Sequence, residues 1–187
     1  MDERDRKIIS ILQQNEKATL SQIAEKMGMS AMGVKKRLDK LEKGKLKLAP
    51  LINAERLGII TAIIAMEVES SEALRRIIEK FRVCPRIIKF FVTTGSYNLF
   101  ALIYAEDYHS LESITLEKCS LRSQPGIRRY DIFPVQEMFY DSYLDIKVIA
   151  EKEREEAPCG VFCNDCYRYK AEKCLGCPAT KFYRGRF

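Results

Sequence analysis

Apolar residues recur at helical spacing in three short stretches near the start of the chain. Ile8, Ile9, Ile11 and Leu12 cluster on one face of a first helix that Asp2 or Asp5 can cap. A polar stretch over residues 13–17 ends it. Thr19-Leu20-Ser21-Gln22 has the form of a capping box and opens a second helix with Ile23, Ala24 and Met27 inward. Gly28 stops that helix in the left-handed conformation, and Ser30 caps a third after only Gly28-Met29 between them. So tight a turn is what a helix-turn-helix requires. In the third helix, over about residues 31–43, Val34, Leu38 and Leu41 fall at i, i+4 and i+7 and form its buried stripe. Gly44 closes it, and Lys45-Leu46-Lys47-Leu48 alternates like a wing strand.

Beyond residue 58 the period changes. Residues 59–69 are β-branched and apolar, residues 71–81 have helical spacing through Leu74, Ile77, Ile78 and Phe81, and residues 86–94 read as a strand. Gly95-Ser96-Tyr97-Asn98 is a turn, for which Gly95 would supply a positive φ. A strand over 99–105, a helix over about 107–121 and a strand over 127–139 follow. The order β-α-β-β-α-β predicts a ferredoxin-like domain. Two helices cover one face of such a sheet, and apolar residues on the other face, Ile63 among them, call for a partner, most simply a second copy. The fold class is therefore α+β: a winged helix-turn-helix head (1–58), a ferredoxin-like body (59–147) and a small Cys-rich tail (148–187).

Charge separates the head from the rest. The 187 residues carry 32 Lys+Arg against 26 Asp+Glu, a net charge of +6. Residues 1–58 hold 13 of the basic and 8 of the acidic residues, so most of the excess sits there. A basic head on a near-neutral body suits a polyanion partner, here double-stranded DNA. On the third helix Ser30, Ala31, Met32 and Gly33 would lie nearest the bases. Lys35, Lys36, Arg37 and Lys40, with Lys47 on the wing, would engage phosphates. No apolar run is long enough to span a membrane, and the charged start does not suit a signal peptide, so a cytoplasmic location is expected.

These features, in order, resemble the Lrp/AsnC (feast/famine) transcription regulators. The resemblance rests on Asp2-x-x-Asp5-Arg6-Lys7-Ile8-Ile9, Leu20-x-x-Ile23-Ala24, Ser30-x-x-x-Val34-x-x-Arg37-x-x-x-Leu41-Glu42-x-Gly44 and Leu57-Gly58. It implies a sequence-specific DNA-binding regulator, not an enzyme, built as a homodimer whose dimers assemble further, commonly to octamers. It also implies an amino-acid-like effector bound near Gly95-Ser96-Tyr97-Asn98, with Asn98 where the family carries Asp. The residues add nothing catalytic: the lone His109 has no oriented partner, and Cys84 and Cys119 read as isolated apolar core residues.

The tail is a separate signal. Five of the seven cysteines crowd into the last 29 residues as Cys159, Cys163, Cys166, Cys174 and Cys177, spaced C-x3-C-x2-C-x7-C-x2-C. Clustered thiols in a chain of this kind point to a metal rather than to disulfides. Two C-x2-C pairs can supply a tetrahedral shell, so zinc on Cys163, Cys166, Cys174 and Cys177, with Cys159 in reserve, is the first expectation. An iron–sulfur cluster is the alternative. A second functional reading follows, in which the Cys cluster makes the protein a metal- or redox-sensing regulator. Tyr167, Tyr169, Phe182 and Tyr183 read as packing around the site.

Overall fold

A computed structural model describes all of residues 1–187, and the chain divides into two compact units, Met1–Pro50 and Leu51–Phe187. Residues 51–58 and the tail after residue 147 both fall within the second unit.

In the first unit, α1 (Glu3–Gln14), α2 (Leu20–Met27) and α3 (Ala31–Glu42) pack around Ile8, Ile11, Ile23, Ala24, Val34 and Leu38. Their ends are where local chemistry puts them. Asp2 and Asp5 do not compete for the first cap but form a reciprocal box: each carboxylate accepts the other's backbone N–H, at 2.9 and 3.0 Å. Thr19 and Gln22 do the same for α2. Gly28 ends α2 at φ 61°, ψ 40°, which an L side chain would adopt only with strain. The strand expected over 45–48 does not form. Leu46 packs on the helical core, but no strand lies beside this segment within the unit, and four alternating residues have no stability without a ladder partner.

The second unit holds β1 (Ile52–Asn53), β2 (Ile60–Val68), α4 (Ser71–Phe81), β3 (Ile87–Val92), β4 (Leu99–Ala105), α5 (Tyr108–Leu116), β5 (Ile127–Pro134), β6 (Tyr143–Leu144) and a short α6 (Tyr167–Lys170). Strands β2 to β5 form one antiparallel sheet in the order β3-β4-β2-β5, the ferredoxin-like arrangement. A second, two-stranded sheet joins β1 to β6 through Ile52↔Leu144 and Asn53↔Tyr143, which draws residues 51–58 into this unit. Along β2 the side chains Ala62, Ile64, Met66 and Val68 face α4 and α5 and meet Leu99, Ala101, Ile103, Ile77 and Phe81. Burying each of the larger ones is worth roughly 1.5–3 kcal/mol.

Two elements are shorter than their apolar patterns suggest. The α5 helix stops at Leu116, because Ser113 and Thr115 turn their hydroxyls onto backbone carbonyls and the following residues, through Ser120 and Ser123, satisfy one another in turns. Strand β5 ends at Pro134, short of residue 139, with one further backbone bond from the Val135 N–H to the Thr61 carbonyl at 2.9 Å.

The opposite face of the sheet is apolar and open. Ile63 pairs with Phe133 on one side and Leu102 on the other, and Phe91 pairs with Phe100. Ile63, Phe91 and Phe133 are 40%, 48% and 53% exposed. No helix is long and apolar enough to cross a membrane.

Candidate functional site

In the head, Ser30 caps α3 by accepting the Gly33 N–H at 3.1 Å. A Cβ on Gly33 would come within 3.2 Å of that hydroxyl, so the small residue serves the cap as well as any close approach to a duplex. Val34, Leu38 and Leu41 are buried, which turns Ala31, Met32, Lys35, Lys36 and Lys40 outward. Met32 is 72% exposed at the first turn, a large apolar side chain with nothing in the helical core to cover it. Lys47 is also exposed, on the irregular segment after α3. Lys35, Lys36 and Lys40 form a cationic face flanking the small residues of the first turn.

Arg37 is not part of that face. Its Nη1 reaches Asp2 Oδ2 and Asp5 Oδ1, both at 2.7 Å, so the guanidinium ties α3 to the capping box of α1. Arg37 follows Val34 by three residues and precedes Leu41 by four, which places it at the margin of the buried stripe, within reach of a neighbouring helix. The pairing leaves a chemical signature: Arg37 beside Asp2, with the Asp5 amide adding to it, holds the Asp2 carboxyl down to about 2. Asp5 is lowered too, first by the Asp2 amide and then by Arg37.

At the 95–98 turn the expected effector residues divide. Gly95 and Ser96 are exposed, and Gly95 does not take a positive φ, so the hairpin does not depend on it. Asn98 is engaged with the fold: its amide donates to the Val68 carbonyl and accepts the Val68 N–H, both at 2.8 Å. It acts as a backbone surrogate beside the irregularity in the β2–β5 ladder at Glu67/Val68. Tyr97 donates its hydroxyl to Asp131, and the Arg129 guanidinium lies 5.6 Å from its ring centroid. That hydrogen bond, followed by burial, raises the Tyr97 phenol. Asp131 and Arg129 carry no local spacing signal; their approach to Tyr97 comes from β5 lying two strands away.

The tail packs against α5 and the edges of β3 and β4. Arg86, immediately before β3, and Glu106, immediately after β4, form a buried ion pair. The second guanidinium nitrogen of Arg86 donates to the Gly176 carbonyl at 2.9 Å, and Tyr183 donates to Glu106. Burial alone would depress the Arg86 guanidinium, but the Glu106 charge more than offsets this and holds it up. Arg168 pairs with Glu112 and donates to Ser113 Oγ, and Ser113 in turn donates to the Lys173 carbonyl. Gly176 has φ 83°, and a Cβ there would lie 2.9 Å from the Phe182 carbonyl oxygen, so only glycine fits. Among the tail aromatics Tyr169 is buried, edge-on to Phe182, with Arg184 stacked 4.1 Å from its centroid; Tyr167 stays exposed.

Cys159, Cys163, Cys166, Cys174 and Cys177 all line one cavity between the tail and the helical face of the sheet. Cys84, after α4, and Cys119, after α5, line it as well, so they are not isolated core residues. Burial pushes the Cys159 thiol up to about 11 and Cys177 to about 12, and raises Cys163. The amides of Val161, Ala179 and Cys177, in the same order, pull against that rise. No three Cys, His, Asp or Glu side chains of the chain come together closely enough to hold one ion.

Among known protein families, residues 1–44 match a winged helix-turn-helix DNA-binding model and residues 61–144 match the Lrp/AsnC ligand binding domain. The HTH-type transcriptional regulator LrpA of Pyrococcus horikoshii is 30% identical over 120 residues, covering 63% of this chain and 85% of that protein. An uncharacterized HTH-type transcriptional regulator of Pyrococcus furiosus is 30% identical over 121 residues, covering 63% and 81%. Two solved structures share the fold. E. coli AsnC has a TM-score of 0.64 at 19% identity, over 74% of this chain and 93% of that one. A Neisseria meningitidis transcriptional regulator in complex with L-Met has a TM-score of 0.66 at 22% identity, over 76% and 94%. Neither family model extends past residue 144.

Proposed function

The chain belongs to the Lrp/AsnC family of DNA-binding transcription regulators, and from that premise we propose that α3 enters the major groove and that a homodimer presents two such helices to a two-fold site. The observation that carries this reading is the outward face of α3. Its first turn, Ala31-Met32-Gly33, offers small and apolar groups to base edges, and Lys35, Lys36 and Lys40 stand where phosphates flank the groove. Arg37 is left out of the contact set because it is already paired. Two heads in such a dimer would meet half-sites about 34–36 Å apart, one helical turn.

The open sheet face with Ile63, Phe91 and Phe133 supplies the dimer surface, since a contiguous apolar patch on a sheet is stabilised by a second copy. The effector would be amino-acid-like. The fold shared with the regulator that binds L-Met supports the class, with Gly95, Ser96 and the Tyr97–Asp131–Arg129 group available near the turn.

Fluorescence anisotropy of the full-length chain against labelled genomic fragments tests the core of this reading. Selective, salt-sensitive binding to a subset of fragments is expected. Equal binding to all of them, or none, would overturn it.

A further inference from the structure

We propose that the cavity beneath the tail binds a polynuclear iron–sulfur cluster, held by the tail thiols, rather than a single zinc ion. Every cysteine of the chain lines this one space: five from the tail and, from the body, Cys84 and Cys119. The cavity is about 70 Å³, where a single water occupies roughly 10–15 Å³. The rest of its wall is mostly apolar, with Ile64, Phe81, Ile87, Ile103 and Leu121 from the domain core. A space of this size, walled by apolar side chains and by all seven cysteines, has the dimensions and the donor set of a binding site.

The arrangement of the thiols selects among occupants. Zinc holds four thiolates at about 2.3 Å, which brings the sulfurs within about 3.8 Å of one another and leaves no space between them. Here the thiols ring a space instead of meeting at a point. A cluster core interposes iron and sulfide between its cysteine ligands, so four thiolates can surround it from the walls of a cavity. The surroundings also suit it. Gly176 directs its N–H to the Cys174 sulfur at 3.4 Å, and the mostly apolar lining lowers the local polarity around the sulfurs. C-x3-C-x2-C followed by C-x2-C supplies one thiol more than the four that a cluster needs. Cys84 and Cys119 complete the wall on the body side. The site belongs to no part of the DNA-binding reading and stands or falls without it.

The test is elemental and spectroscopic, on the full-length chain purified without air and, separately, reconstituted with ferrous iron and sulfide. About four iron and four acid-labile sulfide per chain are expected, as a four-iron cluster requires, in a brown protein with broad visible absorption. The double variant Cys174→Ser/Cys177→Ser should lose iron and sulfide together by more than tenfold. One zinc per chain without sulfide, or no retained metal after reconstitution, would overturn the proposal. Full iron and sulfide in the double variant would overturn the assignment of ligands to the tail. If that variant does not fold, the stoichiometry of the unaltered chain decides alone. None of these readouts depends on DNA binding, so a failure here is distinct from a failure of the α3 interface.

Discussion

Arg86 and Glu106 form an ion pair across the ends of β3 and β4, and the tail closes over it through the Gly176 carbonyl and the Tyr183 hydroxyl. A buried pair of this kind contributes little relative to apolar residues of similar volume, but breaking it strands a charge. Glu106→Leu should therefore cost about 3–5 kcal/mol, and Arg86→Met/Glu106→Leu should recover most of the loss. Denaturant unfolding of the three chains gives both numbers. A single variant within experimental error of the parent would mean that the pair holds nothing.

Gly176 offers a more local probe of the same region. Its φ of 83° and the nearby Phe182 carbonyl leave no room for a methyl group. Gly176→Ala should loosen the tail by about 1–3 kcal/mol while leaving the sheet folded. Limited proteolysis should then cut between residues 159 and 187 faster than in the parent chain, with circular dichroism nearly unchanged.

In the head, Arg37→Ala and Lys36→Ala should have opposite signatures. Arg37→Ala removes the bridge from α3 to Asp2 and Asp5, so it should lower the melting temperature of the head. Lys36→Ala should leave melting alone and weaken DNA binding. The bridge also sets an acid limit. The Asp2 carboxyl is depressed in the folded state, to about 2, so its stabilisation is fully present above the ordinary carboxylate range and is lost as the pH falls towards 2. Thermal melts between pH 5 and 2 should show a decline in head stability that Arg37→Ala lacks.

Salt dependence counts the phosphates. For a duplex the slope of log affinity against log salt is about −0.9 per neutralised phosphate. Alanine at Lys35, Lys36 or Lys40 should each reduce the steepness by roughly one if the side chain sits on a phosphate. Met32→Ala should instead change preference among sequences while the slope stays fixed, because an apolar side chain reads base edges and not charge.

The open sheet face predicts its own failure mode. Ile63→Asp places a charge between Phe133 and Leu102 in the register of the sheet. Sedimentation should report a monomer for this variant and a dimer for the parent. A parent chain that is itself monomeric at tens of micromolar would exclude the proposed dimer surface.

Local chemistry made the head legible. Thr19 and Gln22, Ser30, and Gly28 act within three residues of where they stand, so helix ends could be read directly. The body's order of elements was equally plain, because its periodicity switches cleanly between strand and helix. Relationships across sequence distance were not legible. Arg37 reads as one more cation until Asp2 and Asp5, more than 30 residues earlier, come to lie beside it. Asn98 reads as a ligand contact until its amide is seen bridging Val68. Cys84 and Cys119 have no motif spacing, and only the folding of the tail over α5 brings them to the same wall as the other thiols. A signal did exist for Arg37 in its place at the margin of the apolar stripe.

The way the last part of the chain seats itself ties the history of distant residues together. Cys159 packs on the main core, and Arg86, Ser110 and Ser113 each hold a main-chain carbonyl or amide from beyond residue 170. A lineage that shed everything after Ala157 would inherit an uncovered apolar wall and an arginine missing one acceptor. It would then be free to exchange Cys84, Arg86 and Cys119 for ordinary core residues. Presence of the appendage and identity of those three side chains should therefore travel as one inherited character.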